Sequence, residues 1–150
     1  MRVRTHSQRV RDEPAHAQVT EFAVSDVFYI TTPIYYVSGV PHLGSAYTTI
    51  AADVLSRYHH LRGDEVLFAT GTDEHGEKVA QQAAAAGKPV QDYVDEMAQA
   101  YVELWEQLHI RYDRFIRTSE PAHTTVVQGI FSRLLATGDI YLGEYQGWYC

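Results

Sequence analysis

Residues 27–61 read VFYITTPIYYVSGVPHLGSAYTTIAADVLSRYHHL, and this stretch decides the fold. Its opening, Val27 to Thr32, is β-branched or aromatic and stops at Pro33, which has no N–H to give to a sheet ladder; a short buried strand is expected. A loop containing Pro, Tyr and Gly follows from Pro33 to Gly44. Beyond it, Tyr47, Ile50, Ala51, Val54, Leu55, Tyr58 and Leu61 recur at spacings of three and four, so they line one face of a helix. Gly63 stands where that helix needs a left-handed C-terminal cap.

The same alternation continues downstream. Glu65 to Thr70 (EVLFAT) reads as a second strand running into the polar turn Gly71 to Gly76 (GTDEHG). Lys78 to Ala86 is alanine-rich and helical, stopped by Gly87. Pro89 opens a longer helix with Val90, Tyr93, Val94, Met97, Tyr101, Leu104, Trp105 and Leu108 on one face, which places Tyr101 and Trp105 in the core. Tyr112 to Arg117 (YDRFIR) is a third strand. Thr118 or Ser119 can cap a further helix carrying Val127, Ile130, Phe131, Leu134 and Leu135, ended by Gly138. Ile140 to Cys150 is aromatic and glycine-punctuated, like short strands of a different element. Residues 1–25 mix Arg, His, Gln, Asp and Glu without periodicity and read as a disordered leader. The order β-α-β-αα-β-α-β predicts an α/β fold: a parallel sheet with right-handed crossovers and helices on its faces. In such sheets ligands bind beyond the carboxyl ends of the strands, where the loops 33–44 and 71–76 both lie.

The totals exclude several classes. At 150 residues the chain is one domain long. With 45% hydrophobic and 21% charged residues it has the composition of a globular protein, and no run approaches the roughly eighteen apolar residues of a membrane helix. Arg2, Arg4, Arg9 and Arg11 resemble an organellar transit peptide, but the apolar face of one is missing. A cytoplasmic location is expected, with an organellar one as the alternative. A formal net charge of −7 is the wrong sign for a domain whose main task is to grip RNA phosphates. The single cysteine, Cys150, excludes an internal disulfide and fits a reducing compartment.

In the first loop, Pro41-His42-Leu43-Gly44-Ser45 meets the start of a helix, whose free N–H groups and partial positive charge suit a phosphate. Gly44 lets an anionic ligand approach the backbone. His42 can donate to a phosphate oxygen, more strongly as charge grows in a transition state. Ser45 can add a hydroxyl or cap the helix. In the second loop, Asp73 at a strand's carboxyl end can pair with a ligand ammonium, or act with Glu74 as a helix-capping turn. A phosphate-binding P-loop is excluded because Glu77 separates Gly76 from Lys78 and Val79 follows. Glu74 and His75 lack the His-Glu-x-x-His spacing of a zinc site. His59-His60 read as a solvated pair complementing the end of the helix dipole.

The first block resembles the His-Ile-Gly-His signature of class I aminoacyl-tRNA synthetases. Thr32-Pro33-Ile34-Tyr35-Tyr36-Val37 with Pro41-His42-Leu43-Gly44, Gly71-Thr72-Asp73-Glu74-His75-Gly76, Asp113 to Thr118 and Gly138 to Tyr141 are similar to segments of the methionine branch of that family. The resemblance covers residues 27 to 150. It implies a Rossmann-like nucleotide-binding half-domain over 26–138, with the start of a connective insertion, truncated, over 139–150. It implies ATP-dependent activation of methionine to the adenylate and its transfer to tRNA. ATP, with Mg2+ as its substrate complex, would be held by His42, Gly44 and Ser45, the catalytic pair being His42 and Ser45. Methionine would be held by Ile34, Tyr36 and Asp73, the last on its α-ammonium group. Of Tyr35 and Tyr36, one is expected to be strand-end core. The signature's last histidine is here Ser45. The family's Lys-Met-Ser-Lys-Ser loop is not in this sequence, so the fragment alone is expected to be inactive, and tRNA to be reached through regions absent here. Zinc is not expected, because Cys150 has no neighbouring cysteines. Two alternatives stand beside this reading: a non-catalytic truncated paralogue, and a small nucleotidyltransferase of the same superfamily.

Overall fold

The computed structural model describes residues 26–144, 146 and 147; the leader expected over 1–25, and Cys150, lie outside the described residues. Among these the order is β1 (Val27–Thr31), β2 (Tyr35–Tyr36), α1 (Leu43–Arg62), β3 (Glu65–Asp73), α2 (Glu77–Ala85), α3 (Val90–Gln107), β4 (Arg114–Arg117) and α4 (Pro121–Thr137). Every strand pairing is parallel, as the alternation of strands and helices predicts. β3 is the axis of the sheet. β1 pairs with it from Glu65 to Ala69, β4 from Ala69 to Thr72, and β2 at Thr72 and Asp73.

β2 prolongs the line of β1, but the register steps by one residue across Pro33 and Ile34: Thr31 faces Ala69, whereas Tyr35 faces Thr72. Pro33 has no N–H for the ladder, so the pairing is interrupted there. β3 also runs further than its sequence suggests, through Gly71, Thr72 and Asp73, where a turn was expected. Gly71 is the reason. A Cβ there would lie 2.0 Å from the carbonyl oxygen of Ile116, so only glycine lets β4 approach and pair.

One face of the sheet is covered and the other is not. Phe28 and Ile30 of β1 are half-buried, while Val27 and Tyr29 are exposed, so the strand expected to be buried is buried on one side only. α1 packs on β1 and β3 through Ser45, Thr49, Ala52, Asp53 and Ser56. Its apolar row (Tyr47, Ile50, Val54, Leu55, Tyr58, Leu61) is exposed. Small inward residues let the helix lie close to the strands, and hydrogen bonds satisfy Thr49 and Asp53 among them. Thr49 Oγ1 donates to the Ser45 carbonyl at 2.9 Å; Asp53 accepts from Arg57 Nε at 2.6 Å and from the Arg111 N–H at 2.8 Å. α4 buries none of its residues, although Val127, Ile130, Phe131, Leu134 and Leu135 recur at helical spacing.

The core lies where the segment after β2 meets α2 and α3: Val37, Val79, Ala83, Tyr93, Val94, Tyr101 and Trp105. Tyr101 and Trp105 are therefore core residues, as their spacing predicts. Gly63 and Gly138 cap α1 and α4 in the left-handed conformation, with φ of 88° and 83°. The N-cap of α4 is Glu120, followed by Pro121, rather than Thr118 or Ser119, whose hydroxyls are drawn to Glu74. His59 Nδ1 donates to the Asp64 carboxylate at 2.6 Å and the ring stacks on Phe28, so His59 is tied into the fold rather than simply solvated. The described residues beyond α4 form no strand. No helix among the described residues is long and apolar enough to cross a membrane.

Candidate functional site

The carboxyl ends of β2 and β3 and the start of α1 bring both polar loops to one end of the sheet. Two adjoining hollows open there. One, of about 440 Å³, is lined by Pro33, Ile34, Tyr36, His42 and Tyr101 among others. The other, of about 580 Å³, is lined by Tyr36, Ser38, Asp73, His75 and Lys78 among others. Tyr36 and Ser38 belong to both, so of the expected residues Ile34 and His42 line the first hollow, Asp73 the second, and Tyr36 stands between them.

Of Tyr35 and Tyr36, it is Tyr35 that packs against the core. Tyr35 is the anchor: its ring stacks on Tyr101 at 5.4 Å, and its hydroxyl reaches Thr49 Oγ1 at 2.8 Å and the Ser45 carbonyl at 3.2 Å. It thereby ties β2 to the first turns of α1. Tyr36, next in the strand, turns the other way and is 69% exposed at the hollow.

His42 is the N-cap of α1, with extended backbone. Its Nδ1 accepts the Gly44 N–H at 3.0 Å. Ser45 is buried. Its hydroxyl accepts the His42 N–H at 3.1 Å and donates to the His42 carbonyl at 2.8 Å. Sequence reasoning gave Ser45 the helix cap as one option; the structure gives the cap to His42 and makes Ser45 its reciprocal partner.

Asp73 is the last residue of β3 and is half-buried. Its carboxylate has no hydrogen-bond or ion-pair partner among the described residues, whereas its neighbour is saturated. The side chain of Glu74 has 0% exposure and accepts from Arg117 Nε at 2.7 Å, Arg117 Nη2 at 2.9 Å, Thr72 Oγ1 at 2.7 Å and the Ser119 hydroxyl. Arg117 also donates to Asp95 of α3 at 2.6 Å. Thr118 Oγ1 accepts the Glu74 N–H at 2.8 Å, and His75 Nε2 donates to the Thr118 carbonyl at 3.1 Å. Burial pushes the Glu74 carboxyl up, but the bonds from Arg117, Ser119 and Thr72 outweigh it and hold the group below the ordinary glutamate range. Arg117 is pushed up, first by its bond to Glu74. The Asp95 carboxyl is held low by its bonds to Arg117 and Gln91.

Sequence reading missed this network. Its only signal was the alternation Arg114-Phe115-Ile116-Arg117, which puts Arg117 on the side of Phe115 and Arg114 on the other. Glu74 is thus a structural ion-pair member rather than a metal ligand, and no group of three His, Cys, Asp or Glu side chains is placed as metal ligands among the described residues. A third hollow, of about 600 Å³, lies beside Arg57, His60 and Arg111, away from both loops. Arg57 there is already committed to Asp53 and to the His109 carbonyl.

Comparison with known proteins gives the family. The family model described as tRNA synthetases class I (M) matches residues 28–150. The methionine–tRNA ligase of Thermosynechococcus vestitus is 54% identical over 127 residues, which is 85% of this chain and 24% of that protein. That of Streptococcus pneumoniae (serotype 4) is 61% identical over 122 residues, 81% of this chain and 18% of that protein. Among solved structures, Mycobacterium tuberculosis methionyl-tRNA synthetase in complex with methionyl-adenylate superposes with a TM-score of 0.79 at 44% identity, covering 83% of this chain and 24% of that one. The chain thus spans about a fifth to a quarter of the length of these relatives.

Proposed function

The chain belongs to the class I tRNA synthetases of the methionine type, with their Rossmann-like α/β fold, and from that premise we propose that it supplies the half-site on which a methionine–tRNA ligase binds methionine and ATP and forms the adenylate. The observation that carries the reading is the unpartnered Asp73 carboxylate beside the depression lined by Ile34, Tyr36 and His42. Family membership rules against the small nucleotidyltransferase considered from sequence.

Asp73 receives the α-ammonium group of methionine as a charge-assisted pair. Ile34 and Tyr36 offer the apolar and aromatic surface that a thioether prefers. ATP, carrying its magnesium as part of the substrate, lays its phosphates beside His42 and the Gly44 backbone, where the N-terminal end of the α1 dipole favours negative charge. Held in this way, the methionine carboxylate oxygen attacks the α-phosphorus. The bond from that phosphorus to the bridging oxygen breaks, and pyrophosphate leaves with the electron pair. The protein contributes orientation and hydrogen bonds to oxygens on which charge accumulates. The adenylate bound by the mycobacterial relative is the product this arrangement predicts. Transfer to the terminal adenosine of tRNA follows in the full ligase.

Calorimetric titration of the chain with methionine, with leucine as control, tests the reading. Methionine-selective heat is expected, weakened about tenfold to a hundredfold in Asp73→Ala, the worth of one hydrogen bond to a charged group. Equal affinity of Asp73→Ala and the parent chain would remove Asp73 from the site.

A further inference from the structure

The imidazole of His42 lies across Gly44. A Cβ at Gly44 would come within 2.8 Å of His42 Cε1 and 3.1 Å of Nδ1, so the ring occupies the space that any other residue would fill. Its Nδ1 accepts the Gly44 N–H. An imidazole nitrogen that accepts carries no proton, so in the neutral ring the proton sits on Nε2. The other tautomer would set N–H against N–H.

Ser45 holds the other half of this device. A hydroxyl has one proton, and that of Ser45 has the His42 carbonyl to receive it at 2.8 Å, while its oxygen takes the His42 N–H and also neighbours the Tyr101 hydroxyl. Being only 3% exposed, Ser45 has no donor left for a phosphate oxygen. Two amides of the first turn of α1 are also taken, because the Gly44 N–H goes to the ring and the Ala46 N–H to the His42 carbonyl.

We propose that Ser45 is a positioning residue rather than a phosphate ligand: it pins the main chain of His42 so that the ring rests on Gly44 as the Nε2–H tautomer, with that N–H as the donor to ATP. The inference rests on the ATP site proposed above. It reassigns Ser45, which the signature position alone would make a second phosphate contact. Where the family signature has two histidines, this chain has one donor, held in a single protonation pattern by two neighbours.

The test reads the ring directly. Long-range proton–nitrogen spectra of the 15N-labelled chain report which ring nitrogen carries the proton, with His42 assigned by the signals lost in His42→Gln. The parent chain is expected to show His42 with a bare Nδ1 and a protonated Nε2. Ser45→Ala should move both nitrogens towards averaged values, and Ser45→Thr, which keeps the hydroxyl, should restore the parent pattern. A second arm titrates ATP: Ser45→Ala should weaken it about fivefold, the worth of one hydrogen bond, with recovery in Ser45→Thr. A protonated or averaged Nδ1 in the parent overturns the proposal, as does a Ser45→Ala chain that loses ATP affinity with its ring pattern unchanged. If the parent binds no ATP, the reading of the ATP site fails, while the ring spectra still decide whether Ser45 locks His42.

Discussion

Replacing Arg117 by methionine probes the buried carboxylate at its strongest contact. Methionine keeps an apolar stem of similar length but removes the two guanidinium bonds to Glu74, at 2.7 and 2.9 Å, and the one to Asp95. Glu74 is left with the Thr72 and Ser119 hydroxyls in a place where its side chain has 0% exposure. Taking one partner from a buried ion pair costs about 3–5 kcal/mol. Protonation limits the loss. A glutamate ordinarily titrates near 4.5, so neutralising Glu74 in the fold at pH 7 costs about 3.4 kcal/mol, and at pH 5 about 0.8 kcal/mol.

The sign follows from the direction of each shift. In the parent chain the carboxyl is held low, so its stabilisation is present above the ordinary glutamate range and is lost only as pH falls through that lowered value. In Arg117→Met, burial acts with less opposition and the carboxyl titrates high, so the penalty is full at neutral pH and fades on acidification. The expected destabilisation is about 3 kcal/mol at pH 7, falling by up to about 2.5 kcal/mol at pH 5. Urea denaturation followed by circular dichroism at the two pH values measures both. A loss below about 1 kcal/mol at pH 7, or the same loss at both pH values, would refute the argument that Arg117 compensates a buried charge.

Gly71→Ala should cost more than about 3 kcal/mol, because its Cβ would collide with the Ile116 carbonyl oxygen at 2.0 Å and force β3 and β4 apart. Gly129→Ala in α4, where a Cβ meets nothing within 4 Å, should instead stabilise by about 0.5–1 kcal/mol. Thermal melts of the two variants should therefore move in opposite directions, and movement in the same direction would contradict the packing described. Asp53→Ala, which removes the acceptor of both Arg57 and the Arg111 N–H, should destabilise by about 2 kcal/mol. It should also speed hydrogen exchange at the Arg111 amide, and unchanged exchange there would show that Asp53 does not clamp that loop to α1.

Much of the architecture could be read from spacing. Parallel pairing follows from alternating strand and helix patterns, and the caps at Gly63 and Gly138 from left-handed glycine ends. The core placement of Tyr101 and Trp105 follows from the amphipathic α3, which has a helix and β2 to pack against. The facing of α1 did not follow. Periodicity reports that Tyr47, Ile50, Val54 and Leu61 share a side, but the sheet takes the opposite side, where Thr49, Ala52 and Ser56 allow close approach. Local signals also failed for β3, since its extension depends on a contact between Gly71 and Ile116 that is remote in sequence. The Glu74–Arg117 pair was hidden for the same reason. Of the proposed site residues, Ile34 and His42 lie in loops and Tyr36 and Asp73 at strand ends, so the topology alone gathers them at one end of the sheet. The part played by Ser45 depends on hydrogen-bond directions, which residue type alone does not specify.

The one-residue step at Pro33 and Ile34 constrains how this region can evolve. Side chains along a strand alternate, so the step decides that Tyr35 turns inward to Tyr101 while Tyr36 turns out to the hollow. Adding or deleting a single residue there would exchange the two, driving the anchor into solvent and the pocket residue into the core. Substitutions between the first strand and the helix can therefore be sampled one at a time, whereas changes of length must be compensated at once. The spacing from Thr32 to His42 should drift far less among descendants of this sequence than the residues that fill it.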